Sequence, residues 1–507
     1  MTSRFNHENV EIILGPPGTG KTTRLIEMVE DELGRNVDPE RIAYISFTRK
    51  AATEARDRAM SAFNMQEEEL PHFRTIHSMA FKALALSRDN IMHRPHYYQI
   101  GQMLGIEVKS FETRMEGDIY GMALGDRMFF MENLSRVKGI SLRATWNISD
   151  DHDINWWELE RVARAVYQFK VDNGLIDFTD MLYNVLKLGT LPDVDIVFID
   201  EAQDLSPIQW DVANLLCEKA NRVVIAGDDD QAIYEWSGAD IDTFINIEGK
   251  TEVLNRSWRI PASVHAVATA ISSRIGNRRT KEFLPRVYPG EVNYITDLEA
   301  LDMAKGNWLI LARNQYILNE AEDYCRTYGF SFDSTGNSPL RSTTLRAIQL
   351  WTELQKGGSI QGDQVKHVYD FMESRIGVAY GFKNLNSIVG SESYTYDRLR
   401  KEHGLLADGI WHEALTKIPG SEREYFLTAL KRGETLTRKP RIHISTIHGA
   451  KGGEADNVVL FTDMAQRSYE GMKSNPDHEH RAFYVGVTRA RETLNIILPR
   501  TLRAYDI

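Results

Sequence analysis

The sequence has few cysteines and no long hydrophobic run. Only two cysteines occur among 507 residues, Cys217 and Cys325, and two thiols are too few for a zinc cage. No apolar stretch reaches the roughly 18 residues that a membrane-spanning helix needs, and the first seven residues contain no apolar signal-peptide core. We therefore expect a cytoplasmic protein, in which a disulfide between the two cysteines is not favoured.

The sequence also lacks an excess of positive charge. Its formal net charge is −12, whereas proteins that bind nucleic acid are usually basic. This argument is weak, because local patches of charge matter more for binding than the total does. Hydrophobic residues at 42% and charged residues at 26% are ordinary for a globular protein, and the length predicts roughly three or four structural units. Composition alone leaves the binding partner open.

Short apolar runs alternate with segments of helical pattern, which predicts an α/β fold with parallel sheets. The predicted strands of the first half are 10–14, 41–47, 194–199 and 222–226, and those of the second half are 307–312, 441–445, 457–461 and 493–497. One stretch inside each group, about 77–175 in the first and about 334–438 in the second, has a mostly helical pattern. We predict two RecA-like parallel-sheet domains, each with a mostly helical insertion. The predicted bounds are 1–80 and 176–255 for the first domain, 81–175 for its insertion, 256–333 and 439–507 for the second domain, and 334–438 for its insertion.

A phosphate-binding loop follows the first predicted strand. The eight residues that match G-x-x-x-x-G-K-[ST] are Gly15, Pro16, Pro17, Gly18, Thr19, Gly20, Lys21 and Thr22, and Thr23 extends them into the next helix. Glycines let backbone N–H groups face a polyphosphate, and the helix N-terminus adds a favourable dipole. We expect Lys21 to contact the β and γ phosphates of ATP, and the Thr22 hydroxyl to bind Mg²⁺.

Two carboxylates follow the strand at 194–199. A phosphate-binding loop requires an acidic group that holds Mg²⁺ and another that activates water. We predict that Asp200 binds the metal and that Glu201 orients the attacking water.

At this point the sequence resembles the UvrD/Rep/PcrA group of superfamily 1 helicases. Besides the two elements above, segments in the family's order span nearly the full length. These segments are Phe47–Ala52, Thr75–Ser78, Gly227–Trp236, Asn255–Arg259, Ser445–Glu454 and Tyr484–Ala490.

The resemblance implies that ATP lies between the two predicted motor domains. Arg259 and Arg489 would then act as arginine fingers, since a planar guanidinium can bind two phosphate oxygens at once. Gln231 would sense the γ-phosphate. Trp258 would stack on adenine, where the family usually has tyrosine, and Glu454 would accept hydrogen bonds from the ribose.

The resemblance also implies a binding site for single-stranded DNA. Bases stack on aromatic side chains without regard to sequence, which favours aromatic candidates in the matched segments. The predicted DNA-contacting residues are Phe47, Thr48, Arg49, His77, Tyr234, Trp236, Thr446 and His448.

These elements predict an ATP- and Mg²⁺-dependent DNA helicase that acts on single strands and on single-strand/duplex junctions, with 3′→5′ polarity implied by the resemblance. An alternative is a translocase that strips proteins from single strands, since the second insertion of about 100 residues is short for this family. A nucleotide-switched scaffold is a third hypothesis, which the presence of Glu201, Gln231, Arg259 and Arg489 disfavours.

Selectivity for ATP stays open, because Asn6 and Asn9 are poor substitutes for the family's upstream glutamine. The pathway and the oligomeric state also stay open.

Overall fold

The structure is a computed structural model that describes Phe5, His7 and residues 9–47, 49–109, 122–149, 151–334, 338–339, 342–384, 388–435 and 439–507. Its strands are β1 Val10–Leu14, β2 Ile42–Ser46, β3 Phe73–Arg74, β4 Ile196–Asp200, β5 Arg222–Gly227, β6 Lys250–Val253, β7 Glu291–Ile295, β8 Trp308–Ala312, β9 Phe332–Ser334, β10 Ser359–Gln361, β11 Ser393–Thr395, β12 Ile442–Thr446, β13 Ala455–Phe461 and β14 Ala490–Ile497.

Helices fill most of the sequence between these strands. They are α1 Lys21–Gly34, α2 Arg49–Phe63, α3 Ile76–Ala83, α4 Arg94–Leu104, α5 Leu124–Lys138, α6 Leu142–Ile148, α7 Trp156–Asn173, α8 Phe178–Leu188, α9 Pro207–Cys217, α10 Ile241–Asn246, α11 Ala262–Ser272, α12 Asn319–Tyr328, α13 Thr343–Gln355, α14 Gly362–Asp370, α15 Tyr396–Glu402, α16 Trp411–Ala414, α17 Gly420–Lys431, α18 Gln466–Ser474 and α19 Pro476–Val487. In the part of the chain that the structure describes, none of these helices has the length and apolarity of a membrane span.

Two six-stranded sheets organise the fold. The first has the order β3-β2-β4-β5-β1-β6, and all five of its strand pairs are parallel. The second has the order β7-β14-β13-β8-β12-β9, in which β9, β12, β8 and β13 pair in parallel. These sheets confirm the predicted α/β class with two parallel-sheet cores.

The chain divides by its contacts into two compact units. The first comprises residues 1–293, 447–454 and 462–507, and the second comprises residues 294–446 and 455–461. In the first unit, α3 to α8 lie between β3 and β4, which agrees with a mostly helical insertion. In the second unit, α13 to α17 lie between β9 and β12, together with a small antiparallel pair formed by β10 and β11.

Alternation along the strands of the first sheet explains why it is covered on both faces. Successive side chains of a strand point to opposite faces, so neighbours such as Val197 and Phe198 enter different cores. Val197 packs with residues of α3, α8 and α9, whereas Phe198 packs with residues of α1 and α2. Continuous burial of this kind is typical of a parallel sheet. Because parallel strands end at the same edge of the sheet, the polar residues that follow them lie together at that edge.

Candidate nucleotide site in the first unit

The phosphate-binding loop lies at the carboxyl edge of the first sheet. Gly15 follows β1 and donates its N–H to the carbonyl of Gly227 at 3.1 Å, and α1 begins at Lys21. Gly18 and Gly20 have φ angles of 72° and 87°, which L side chains rarely adopt. The Lys21 ammonium donates to the Gly15 carbonyl at 3.0 Å and lies 3.6 Å from Glu201.

The acidic pair predicted after β4 lies directly opposite this loop. The Thr22 hydroxyl donates to Asp200 at 3.1 Å, and the Tyr44 hydroxyl donates to the same carboxylate oxygen at 2.9 Å. Burial raises the pKa of Asp200 to about 6, and the neighbouring charge of Glu201 adds to this shift. Hydroxyl and carboxylate oxygens are the ligands that Mg²⁺ prefers, so Thr22 and Asp200 fit the metal that the family uses with ATP.

Glu201 is held as a carboxylate in a strained position. Its φ angle of 56° lies in the left-handed region, which costs a non-glycine residue about 1 kcal/mol or more. Burial favours the neutral form of Glu201, but Lys21 and Lys451 outweigh it and lower its pKa to about 2. The Gln203 amide donates to Glu201 at 2.6 Å and fixes the carboxylate. A charged, oriented carboxylate can accept hydrogen bonds from a water molecule and so orient it.

The segment that carries Arg259 contacts the phosphate-binding loop. The Ser257 hydroxyl donates to the Pro17 carbonyl at 2.8 Å, and the backbone N–H of Trp258 donates to the Gly18 carbonyl at 2.8 Å. A Cβ built at Gly18 would lie 2.4 Å from the Cβ of Arg259. The Arg259 guanidinium forms an ion pair with Glu454, and Trp258 is 72% exposed beside it.

Arg489 is buried at the centre of the site. Its Nη2 donates to the Gln231 Oε1 at 2.9 Å, and its Nε donates to the Val485 carbonyl at 2.9 Å. Burial lowers the pKa of Arg489 to about 9, and the nearby charge of Arg259 contributes to this shift. The charge of Glu201 therefore interacts with both Lys21 and Arg489, and the charge of Arg489 interacts with that of Arg259.

Lys451 is a basic residue of this site that the sequence analysis did not select. Its ammonium lies 2.6 Å from Asp204 and donates to the Gln231 carbonyl at 2.7 Å. It also lies 4.9 Å from the ring centroid of Tyr234. Lys451 stands inside the matched segment Ser445–Glu454, so the motif could have pointed to it, but its partners lie more than 200 residues away in sequence.

The structure brings some of the predicted DNA-contacting residues together. Phe47 and Tyr234 stack with ring centroids 5.4 Å apart, and the Tyr234 hydroxyl donates to the His448 carbonyl at 3.4 Å. Trp236 stacks instead on Phe130 of α5 at 6.0 Å, a partner that the sequence did not indicate.

Other candidates contact residues outside this group. The rings of His77 and Phe178 are nearly perpendicular, with centroids 6.0 Å apart, and burial and the nearby charge of Arg49 lower the pKa of His77 to about 4. Arg49 is exposed at the start of α2, while Thr446 is the buried last residue of β12 and pairs in register with Ala312. Thr48 lies outside the described residues.

A phosphate-binding loop, an acidic strand end and a buried arginine in one unit define a P-loop nucleotide hydrolase. The UvrD/REP helicase N-terminal domain matches residues 3–252, and the UvrD-like helicase C-terminal domain matches residues 423–501. The chain belongs to the UvrD/Rep family of helicases.

Curated relatives agree with this assignment. The chain is 24% identical to DNA helicase II of Haemophilus influenzae, over 97% of this chain and 82% of that protein. It is 26% identical to the ATP-dependent DNA helicase PcrA of Staphylococcus aureus, over 55% of this chain but only 42% of that protein. The match to a solved arterivirus helicase, nonstructural protein 10, covers 97% of this chain and 60% of that one, at 13% identity and with a TM-score of 0.34.

The loop geometry predicts that Gly15 does not tolerate a side chain. A Cβ at Gly15 would lie 1.8 Å from the Cγ of Lys21, so Gly15→Ala must displace the lysine chain. We expect Gly15→Ala to lower ATP turnover by about 100-fold, because small displacements of a catalytic group have effects of that order. Gly34→Ala is the matched control, since a Cβ there meets no atom within 4 Å. Equal turnover of the two variants would contradict this account of the loop.

Proposed function

We propose that this protein is an ATP-dependent DNA helicase that translocates along single-stranded DNA with 3′→5′ polarity. The observation that carries the proposal is the convergence of Lys21, Glu201 and Arg489 in one unit, with Gln231 bonded to Arg489. The names of the relatives support DNA as the substrate. An intracellular location and a preference for single-strand/duplex junctions are part of the same proposal.

Different residues of the site would have different roles in ATP hydrolysis. Lys21, Arg259 and Arg489 would surround the terminal phosphate of ATP and stabilise the negative charge of the transition state. Glu201 would orient and polarise the attacking water while Gln203 holds the carboxylate. Thr22 and Asp200 would hold Mg²⁺, which would supply further positive charge to the site. Trp258 and Glu454 keep their proposed contacts with adenine and ribose.

Two of the proposed DNA-contacting residues lie on the same loop as Gln231. Tyr234 and Trp236 follow Gln231 by three and five residues, so a shift at the phosphate sensor is transmitted over a short distance to aromatic side chains. Because Phe130 stacks on one face of Trp236, a base would stack on the other face. We retain the two motor domains and the two insertions at their predicted bounds as part of this proposal.

Substitution of Trp236 tests the DNA-binding half. We expect Trp236→Ala to weaken binding of a single-stranded oligonucleotide by about tenfold or more, since stacking contributes about 1–3 kcal/mol per base. ATP turnover without oligonucleotide should change little. Trp157→Ala, on a tryptophan of α7 that is 73% exposed, is the control. The measurement is fluorescence anisotropy of labelled DNA, and equal affinity of the two variants would remove Trp236 from the DNA site.

Direction and unwinding require a separate experiment. We expect unwinding of a duplex with a 3′ single-stranded tail, at a rate that depends on ATP, and little unwinding of a 5′-tailed duplex. Displacement of streptavidin from biotinylated single strands, measured beside it, distinguishes the translocase alternative. Displacement without unwinding would favour that alternative, which the shortness of the second insertion supports. RNA-tailed substrates in the same assay test the assignment of DNA as the track.

A further inference from the structure

An ion cluster with almost no solvent exposure lies beside the nucleotide site. The Lys281 ammonium is 3.2 Å from Asp228, 2.6 Å from Asp229 and 2.9 Å from Asp230. The four side chains are each at most 1% exposed. Burial disfavours the charge on Lys281, but the three carboxylates outweigh it and raise its pKa. Lys281 is therefore a permanent positive charge at the centre of this cluster.

Asp228 connects Lys281 to the predicted phosphate sensor. One carboxylate oxygen of Asp228 faces Lys281, and the other accepts a hydrogen bond from the Gln231 Nε2 at 2.7 Å. The opposite end of that amide, Oε1, accepts the hydrogen bond from Arg489 at 2.9 Å. A continuous path of polar contacts thus runs from Lys281 through Asp228 and Gln231 to Arg489.

Asp228 determines which end of the Gln231 amide, nitrogen or oxygen, faces Arg489. An amide has a donor end and an acceptor end, and only its oxygen can accept from a guanidinium. With Asp228 as a carboxylate, the amide nitrogen is directed to it and the oxygen is left for Arg489. Without a cation beside it, a buried carboxylate either takes up a proton or moves toward another donor. Either change would remove the constraint on the amide.

The cluster also joins two segments that are distant in sequence. Arg481 of α19 donates to the Asp229 carbonyl at 3.0 Å, and Asp477 of α19 accepts from the N–H groups of Gly276 and Asn277 at 2.8 Å. The helix α19 ends at Val487, two residues before Arg489. The same contacts that hold the acidic segment therefore hold the helix that leads to the buried arginine.

We propose that Lys281 is a positioning residue for ATP hydrolysis, which fixes the orientation of the Gln231 amide through Asp228 and thereby places the Arg489 guanidinium. This inference rests on the proposed function. Lys281 acts through other residues, so its removal should affect the catalytic step more than the binding of ATP.

Three substitutions test the proposal. Lys281→Met removes the charge and keeps most of the volume, and we expect it to lower kcat of the oligonucleotide-stimulated ATPase about tenfold or more while KM for ATP changes less than about threefold. Lys281→Arg keeps the charge and should retain more of the activity than Lys281→Met. In the double variant with Gln231→Ala, turnover should equal that of Gln231→Ala alone within about twofold, because residues in one path are not additive.

Arg222→Met is the matched control. Arg222 stands at the other end of β5 and forms ion pairs with Glu11 and Glu32, so its loss breaks an ion cluster away from the site. We expect a lower Tm for this variant but kcat within about twofold of wild type. Independent, multiplicative effects of Lys281→Met and Gln231→Ala would overturn the proposal. A loss of kcat in Arg222→Met as large as that in Lys281→Met would also overturn it.

A binding measurement separates this inference from the proposed function. The affinity for ADP with aluminium fluoride, which mimics the phosphate in transit, relative to ADP alone reports the contacts made in the catalytic step without turnover. Lys281→Met should lower this ratio about threefold or more, and Arg222→Met should leave it unchanged. If wild type fails to hydrolyse ATP, or if Lys21→Ala retains full turnover, the proposed function fails. The ratio still decides the role of Lys281, and an unchanged ratio in Lys281→Met would contradict it.

Discussion

The hydrogen bond between Arg489 and Gln231 is the contact on which the rest of this site depends. A guanidinium that is 1% exposed has lost most of its hydration, and burial accordingly lowers its pKa to about 9. It remains protonated at neutral pH, since the Gln231 amide and the Val485 carbonyl accept its hydrogen bonds and Glu201 lies near enough to stabilise the charge. A charge held away from water interacts strongly with any second charge brought beside it.

The distribution of charge around this contact explains the chemistry that the site can perform. Lys21, Arg259 and Arg489 form a cationic group beside the phosphate-binding loop, and Asp200 and Glu201 stand at the strand end opposite. Like charges held close together cost stability, and such an arrangement is typical of sites that bind a highly charged ligand. A polyphosphate would neutralise the cations, and the carboxylates would remain for the metal and the water. We therefore propose that these charges serve the substrate rather than the stability of the fold.

The sequence predicted those parts of the site that depend on local backbone chemistry. Gly18 and Gly20 have the positive φ angles that a phosphate-binding loop requires, and Asp200 lies at the end of a buried strand, as the apolar run before it indicated. The eight strands predicted from apolar runs are all present, with ends that differ by at most three residues. Local patterns carry this information because each element is formed by neighbouring residues.

Partners that are distant in sequence could not be predicted in the same way. Lys281 follows Asp230 by 51 positions and belongs to no matched segment, while Lys451 pairs with a carboxylate 247 positions earlier. Phe130 lies in an insertion without recognisable motifs, and nothing in its own neighbourhood indicates that it stacks on Trp236. Such contacts arise only after the strands and helices have assembled, and a single sequence contains no record of them.

The most direct test of the central claim is the affinity of Arg489→Ala for two nucleotides. Binding of ADP with aluminium fluoride, which mimics the phosphate in transit, is compared with binding of ADP alone by isothermal titration calorimetry in the presence of Mg²⁺. The account predicts that the variant binds ADP about as tightly as wild type but binds the aluminium fluoride complex about 100-fold more weakly or worse. An unchanged affinity for that complex would show that the buried guanidinium does not serve the transition state, and would contradict the account.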